Sequence, residues 1–299
     1  ITAEDKPLLI IGSGSNLLLT RDFPGLVLHS AIMGREVVKE SDGKVWLRCG
    51  SGETWDDIVA YAVEKGWHGA ENLSLIPGEV GASAVQNIGA YGAEAKDLIT
   101  KVEAVEIATG NVVEFSNEDC RYAYRQSRFK NEWKDHYVIT YVTYCFSLDF
   151  CPDLDYGNIR HSLEEQGISK PTAQQLRQTI INIREAKLPD PKVTGNAGSF
   201  FMNPVVGRDV YERLAAQYEG MPHYVVDADH IKIPAGWMIE QCGWKGASLG
   251  RAGVHDRQAL VLVNRGGATG EEVVTLYKRI IEDVRAKFGI EIHPEVNVI

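Results

Sequence analysis

Cysteine is scarce in this chain, with five in 299 residues, at 49, 120, 145, 151 and 242, and no C-x-x-C pair among them. An odd count without that spacing excludes a disulfide framework and a cysteine-built zinc site, so reduced thiols are expected. The eight histidines contain neither H-x-x-x-H nor H-E-x-x-H, so no metal is expected. No apolar run approaches the roughly 20 residues that cross a bilayer. No signal-peptide pattern opens the chain either, and a cytoplasmic protein with no membrane partner is expected. Net positive charge is missing: the formal charge is −10. That argues against general nucleic-acid binding, which needs clustered basic surface to neutralise phosphates. An anionic ligand would need a local basic patch working against the overall field.

What is present reads as an ordinary globular chain, 44% hydrophobic and 24% charged, long enough for more than one domain. Pro7 to Ile11 is a short apolar run broken by Gly12, read as a buried strand opening onto a tight turn. Thr54 is placed to cap a helix over 55–65, with Ile58, Val59, Ala62 and Val63 at helical spacing. Glu71 to Gly92 is too rich in glycine for one regular element and too apolar for a solvated linker, which suits backbone that approaches a ligand closely. Residues 101–115 alternate as paired strands do, with Gly110 at the turn, and a further strand is expected over 137–146. Asn117 is read as the cap of a helix carrying Arg121, Tyr124, Arg125 and Arg128. Thr172 caps a long helix to about Lys187, ended by Leu188-Pro189-Asp190-Pro191, the best domain boundary in the chain. Helices are expected at 208–219, 235–242 and 270–288, the last closed by Gly289 in the left-handed conformation, with a terminal strand over 290–299. The class is α+β.

Three segments carry possible chemistry. Gly12-Ser13-Gly14-Ser15-Asn16 follows a strand, where backbone N–H groups can cradle phosphate oxygens, although Leu17 stands where a dinucleotide fingerprint has its third glycine. The stretch 119–130 has four positive side chains (Arg121, Arg125, Arg128 and Lys130) against one negative, Asp119, read as a solvated helix face or an anion site. Gly195-Asn-Ala-Gly-Ser-Phe-Phe201 surrounds Ser199 with small residues. The two phenylalanines are either core or a platform for a flat ligand. No G-x-S-x-G elbow is present, so nucleophilic hydrolysis is poorly supported.

In order along the chain stand Ile11-Gly-Ser-Gly-Ser-Asn-Leu17, Pro77-Gly-Glu-Val-Gly-Ala-Ser83, Gln86-Asn-Ile-Gly-Ala-Tyr-Gly92, Tyr124-Arg-Gln-Ser127, Lys187-Leu-Pro-Asp-Pro191, Gly195-Asn-Ala-Gly-Ser-Phe-Phe201, Ala235-Gly-Trp237 and Pro294-Glu-Val296. Together they make the chain resemble the UDP-N-acetylenolpyruvoylglucosamine reductases over essentially its full length. The resemblance implies an FAD-binding domain of the vanillyl-alcohol-oxidase (PCMH) type followed by a C-terminal α+β substrate-binding domain. It divides the chain into 1–34 with 295–299, 35–183 including the Tyr156 loop, and 184–294. Residues that family members carry before the Gly12 strand are not in this chain, so the first FAD-binding subdomain is expected to be incomplete.

The same resemblance assigns FAD contacts to Gly12, Ser13, Gly14, Ser15, Asn16, Pro77, Gly78, Gly81, Ser83, Asn87, Gly89, Tyr91 and Gly92. Ser199 matches the proton donor, and Arg125 and Glu295 the other two catalytic positions. Tyr124, Tyr156, Arg184, Lys187, Asn203 and Gln258 match substrate contacts, Tyr156 being the tyrosine of the family type whose extra loop folds over the substrate diphosphate. NADPH is the implied co-substrate, UDP-N-acetylglucosamine enolpyruvate the implied substrate, and a monomer the implied state. Two other readings stand beside this one: a different FAD-dependent oxidoreductase on the same fold, and an inactive fragment that binds a UDP-sugar.

Overall fold

The computed structural model describes residues 5–299, and its helices and strands divide between two compact units. One unit comprises the chain up to Ser15 together with Phe23–Ala186; the other comprises Asn16–Asp22 and Lys187–Ile299. Residues 1–4 of the expected first segment lie outside the described residues.

In the first unit, strands Leu8–Ile11 and Leu26–His29 pair in parallel. A five-stranded antiparallel sheet follows in the order 35–41, 44–50, 137–147, 99–106, 112–116. Helix α1, Trp55–Glu64, starts at Thr54, whose extended backbone ends the preceding turn, with Asp56 and Asp57 in the first turn where a helix favours negative charge. Its Trp55, Ile58, Val59, Ala62 and Val63 are buried against Leu47, Val142, Tyr144 and Phe146 of the sheet and its surroundings. Burying each of the larger side chains, such as Ile58, Val59 and Val63, contributes about 1.5–3 kcal/mol. Helix α2, Val80–Gln86, lies inside the glycine-rich stretch and stops at Asn87, which takes the left-handed conformation with φ 45°. Helices α3, Ile159–Glu165, and α4, Ala173–Lys187, share a small core of Ile159, Leu163, Leu176, Ile180 and Ile183. The start of α4 is held reciprocally: Gln175 N–H donates to Thr172 Oγ1, and Thr172 N–H to Gln175 Oε1.

The second unit is built on a four-stranded sheet in the order 196–199, 261–264, 252–254, 248–249, and a three-stranded sheet in the order 205–207, 230–232, 224–225. Helices α5, Arg208–Ala215, and α6, Ala235–Gln241, are short. Helix α7, Gly270–Phe288, has the bounds its sequence predicts, with Thr269 and Glu272 forming a capping box and Gly289 closing it at φ 71°. Leu276, Ile280, Val284 and Phe288 recur every four residues and are all buried. Phe200 and Phe201 are 2% and 1% exposed within this core, so they pack the domain and offer no platform to a flat ligand.

Two expected elements are corrected. No helix forms over 117–128; the segment is a series of turns with an isolated bridge between Ala123 and Gln126. Arg121 and Arg125 sit at φ 46° and 56°, which a right-handed helix cannot contain, and Asn117 donates to the Lys96 and Ile99 carbonyls instead of capping. The terminal strand is also shorter than expected: only Asn297–Val298 pairs as strand, with Leu17–Leu18, and Pro294 makes an isolated bridge to Phe201. Pro294 has no N–H to continue a ladder.

Candidate active site

The first unit brings two glycine-bearing segments together. A Cβ on Gly78, at φ 119°, would lie 3.2 Å from Ser15 Oγ, and one on Gly12 would lie 3.1 Å from Glu79 Oε2. Each glycine therefore faces a polar side-chain atom of the other segment, and the narrow space between Gly12–Ser15 and Pro77–Gly81 is one that a further side chain would fill. That fits the binding of a flat or phosphorylated cofactor held by main-chain N–H groups. Glu79, beside this cradle, is bonded through both carboxylate oxygens to His29 Nε2, at 2.9 and 3.0 Å. Asn16 belongs to the second unit, where its carbonyl accepts the Asn297 N–H and its amide donates to the Glu295 carbonyl at 3.4 Å. Two of the expected FAD contacts have their side chains engaged within the protein. The Ser83 hydroxyl lies in the core, 2.7 Å from Val80 O and from Tyr144 Oη. The Asn87 amide donates to Glu94 Oε2 and Ala123 O, while its Oδ1 accepts the Lys96 N–H.

Arg125 stands at the tip of the 123–126 turn. Its Nη2 donates to Gly89 O at 2.6 Å and its Nη1 reaches Asn87 O at 3.5 Å, with Tyr124 ring beneath the guanidinium at 5.4 Å. A Cβ at Gly89 would come within 3.0 Å of Arg125 Nη1, so glycine there is what admits the arginine. The other arginines of the stretch go elsewhere: Arg128 pairs with Glu132 and covers Trp133, and Arg121 is an exposed partner of Glu132.

Arg184, on α4, reaches back to the same end of the unit and donates from Nε to Leu75 O at 3.3 Å. Burial lowers its pKa and the nearby Arg125 charge adds to this, while Tyr91 and Asp56 act the other way. Burial raises the Tyr91 hydroxyl, against the opposing charge of and hydrogen bond from Arg184. Two guanidiniums and a phenol thus share a partly buried corner, a setting in which an anion is held more strongly than at open surface. Tyr156 packs beside Tyr91 and Gly92: a Cβ on Gly92 would meet Tyr156 Cδ2 at 3.4 Å. Asn72 secures the loop, donating to Tyr91 O at 2.9 Å and to Asp153 O at 3.1 Å. Lys187 is exposed at the end of α4.

In the second unit Ser199 ends the strand Asn196–Ser199. The pairing runs Asn196 to Val263 and Ser199 to Val261, so one extra residue is accommodated between them as a bulge. The sequence makes the bulge locally: Gly198 takes φ 73°, and its N–H donates to Asn196 Oδ1 at 3.0 Å. The Ser199 hydroxyl makes no hydrogen bond among the described residues and is half-buried. Glu295 is tied alongside, its N–H donating to Phe200 O at 2.7 Å. Asn203 and Gln258 both lie at the start of α6. Asn203 Oδ1 accepts the Ala235 N–H at 2.9 Å, and a Cβ on Gly236 would lie 3.4 Å from Gln258 Oε1. One face of Asn203 is therefore spent on the helix start and only its NH2 group faces elsewhere.

Sequence reasoning missed Asp56 and Asn72, which hold the backbones of Leu75 and Tyr91, and it gave Lys130 no part in holding the backbone of Arg125. Their partners are backbone groups, in one case 81 residues away, and no periodicity marks such a contact. Among the described residues no cluster of three metal-binding side chains occurs, and no helix is long and apolar enough to cross a membrane.

Comparisons with known proteins bear on both units. Residues 1–116 match the family model of an FAD binding domain, and residues 190–299 match that of the UDP-N-acetylenolpyruvoylglucosamine reductase C-terminal domain. An FAD-containing oxidoreductase is defined by that combination. Curated reductases of this name from Bacteroides fragilis and Porphyromonas gingivalis are 57% identical over 98% of this chain (88% of the relative) and 51% identical over 99% (87% of the relative). The crystal structure of the enzyme of that name from Thermus caldophilus, 22% identical, shares the fold with a TM-score of 0.65, covering 98% of this chain and 85% of that one. The chain belongs to the UDP-N-acetylenolpyruvoylglucosamine reductase family.

Proposed function

We propose that the protein catalyses NADPH-dependent reduction of UDP-N-acetylglucosamine enolpyruvate to UDP-N-acetylmuramate, through FAD, in the synthesis of peptidoglycan precursors. It acts in the cytoplasm as a monomer. Gly12–Ser15 and Pro77–Gly81 hold the FAD, with Gly89, Tyr91 and Gly92 beside it, in a flavin-binding part formed by 1–34 with 295–299 and by 35–183; residues 184–294 bind substrate. When bound, FAD supplies the hydride that the enolpyruvyl double bond accepts.

The chain's own residues handle charge and proton. The enolpyruvyl group is conjugated to a carboxylate, so negative charge builds there as the double bond is reduced. Arg125 faces that carboxylate, and one preorganised donor of this kind is worth roughly 3 kcal/mol. Ser199 Oγ delivers the proton to the adjacent carbon; a positioned general acid contributes roughly 10²–10⁴-fold. Glu295 orients that exchange. Arg184, Lys187 and Tyr156 bind the diphosphate and Asn203 and Gln258 the sugar, with Tyr124 stacked under Arg125. The observation that carries the reading is the Ser199 bulge, which presents a hydroxyl with no internal partner next to Glu295.

The test separates the two halves of turnover by stopped-flow absorbance. Ser199→Ala is expected to leave flavin reduction by NADPH nearly unchanged and to slow reoxidation by substrate by roughly 10²–10⁴-fold. Ser199→Cys is expected to recover part of that loss, because a thiol also donates a proton. Slowing confined to the NADPH half would remove Ser199 from the proton transfer.

A further inference from the structure

Arg125 is an unusual place for a left-handed residue, since its side chain is the one the reaction needs aimed. Its φ of 56° is uncommon for a residue with a Cβ and persists only where the surroundings hold it. Those surroundings are specific. The end of α2 clasps the turn through side chains: Ser127 Oγ donates to Val85 O at 2.6 Å, and Asn87 Nδ2 to Ala123 O at 2.9 Å. Lys130 completes the clasp, its ammonium lying 3.1 Å from the Arg125 carbonyl and 3.0 Å from Gln86 Oε1. The charged donor therefore grips the backbone of the strained residue itself and ties it to the helix that precedes Asn87 and Gly89, the same backbone that receives the Arg125 guanidinium.

We propose that Lys130 is a positioning residue that fixes Arg125 in its left-handed turn, so that the guanidinium is aimed before substrate arrives. This rests on the reading that Arg125 stabilises the charge developing on the substrate carboxylate. Such preorganisation acts on the transition state, and a displacement of about 1 Å can cost 10²-fold. Loss of the clasp lowers kcat with little change in KM.

The experiment is a double-mutant cycle on the FAD-loaded enzyme. Lys130→Met is expected to slow the substrate half roughly 10- to 100-fold, leave flavin reduction by NADPH intact, and change KM less than threefold. Arg125→Met should be slower still, and the double variant no slower than Arg125→Met alone, because Lys130 acts through that arginine. Additive losses, or a Lys130→Met enzyme as fast as wild type beside a slow Arg125→Met, would overturn the positioning role while leaving the reading of Arg125 intact. A fast Arg125→Met would overturn both. If Lys130→Met does not fold, Lys130→Gln carries the same cycle with a smaller expected loss, since its amide can still donate to the Arg125 carbonyl.

Discussion

The two units treat backbone strain in opposite ways. Seven non-glycine residues of the described chain have positive φ, namely Asp42, Leu75, Asn87, Tyr91, Arg121, Arg125 and Asp135, and all lie in the first unit. In the second unit the left-handed positions, among them Gly198, Gly243 and Gly289, are glycines. Four of the seven sit in or against the glycine-rich stretch, and each has a side chain bonded to its backbone or is itself the bonding side chain. Asp56 Oδ1 accepts the Leu75 N–H at 2.5 Å, Asn72 donates to Tyr91 O, Lys130 donates to Arg125 O, and Asn87 uses its own amide. At these four positions the left-handed backbone is over-determined by polar contacts. The second unit aims Ser199 differently, with a bulge made from residues that adopt it without strain.

The largest expected stability effect comes from removing one of those polar anchors. Asp56 receives both Nη groups of Arg177, at 2.7 and 2.9 Å, besides the Leu75 N–H. Burial alone would raise its pKa, but hydrogen bonds from Arg177 and Leu75 and the charges of Arg177 and Arg184 hold it below the ordinary carboxylate value. Asp56→Asn is expected to cost about 2 kcal/mol at pH 7, since a mostly buried guanidinium loses its counter-charge. A carboxylate whose folded pKa is depressed stabilises the protein above its unfolded value of about 3.9, and that contribution is lost as pH falls through the lower folded value. The gap in Tm between wild type and Asp56→Asn should therefore narrow between pH 5 and pH 2.5, pH values chosen to span roughly that range. An undiminished gap at the acid end would show that the pair is not what anchors Leu75.

How much was legible in the sequence divides along the same line. Helix α7 could be read to the residue because its cap, its buried stripe and its closing glycine all agree, and α4 likewise from Thr172 to Lys187. The Ser199 loop could be read as a place where a hydroxyl stands clear, since asparagine and glycine make that turn from local chemistry. The Arg125 region could not. Its spacing suggests a helical face, yet the chain is held there by Asn87 and Ser127, which reach backbone groups 36 and 42 residues away, and by Lys130, which joins the Arg125 carbonyl to the side chain of Gln86. Motif order singled out Arg125 as a candidate, while its geometry came from tertiary contacts that leave no local pattern.

Gly289 gives the second way to test the contrast. It closes α7 at φ 71°, and a Cβ there would meet nothing within 4 Å. Gly289→Ala therefore isolates the conformational cost of a side chain at a left-handed position, expected to be about 1 kcal/mol. The urea midpoint of the variant reads it directly. A loss below about 0.3 kcal/mol would mean that left-handed residues are cheap in this fold, and the seven in the first unit would then carry no functional meaning.

The smallest expected effect has the opposite sign. Arg121 is left-handed at φ 46°, its side chain is 70% exposed, and no side chain is bonded to its backbone among the described residues. Its ion pair with Glu132, at 3.8 Å between exposed groups, contributes little. Arg121→Gly removes a strain of about 1 kcal/mol and adds roughly half of that in backbone entropy lost on folding, so a gain of about 0.5 kcal/mol is expected. Turnover should be unchanged, because Arg121 points to Glu132 and away from Gly89, where Arg125 is seated. A variant destabilised by 1 kcal/mol or more, on the scale of ordinary point mutants, would show that Arg121 is held as firmly as Arg125. The strain in the first unit would then belong to the whole turn region and not to the residues that the proposed function sets against substrate.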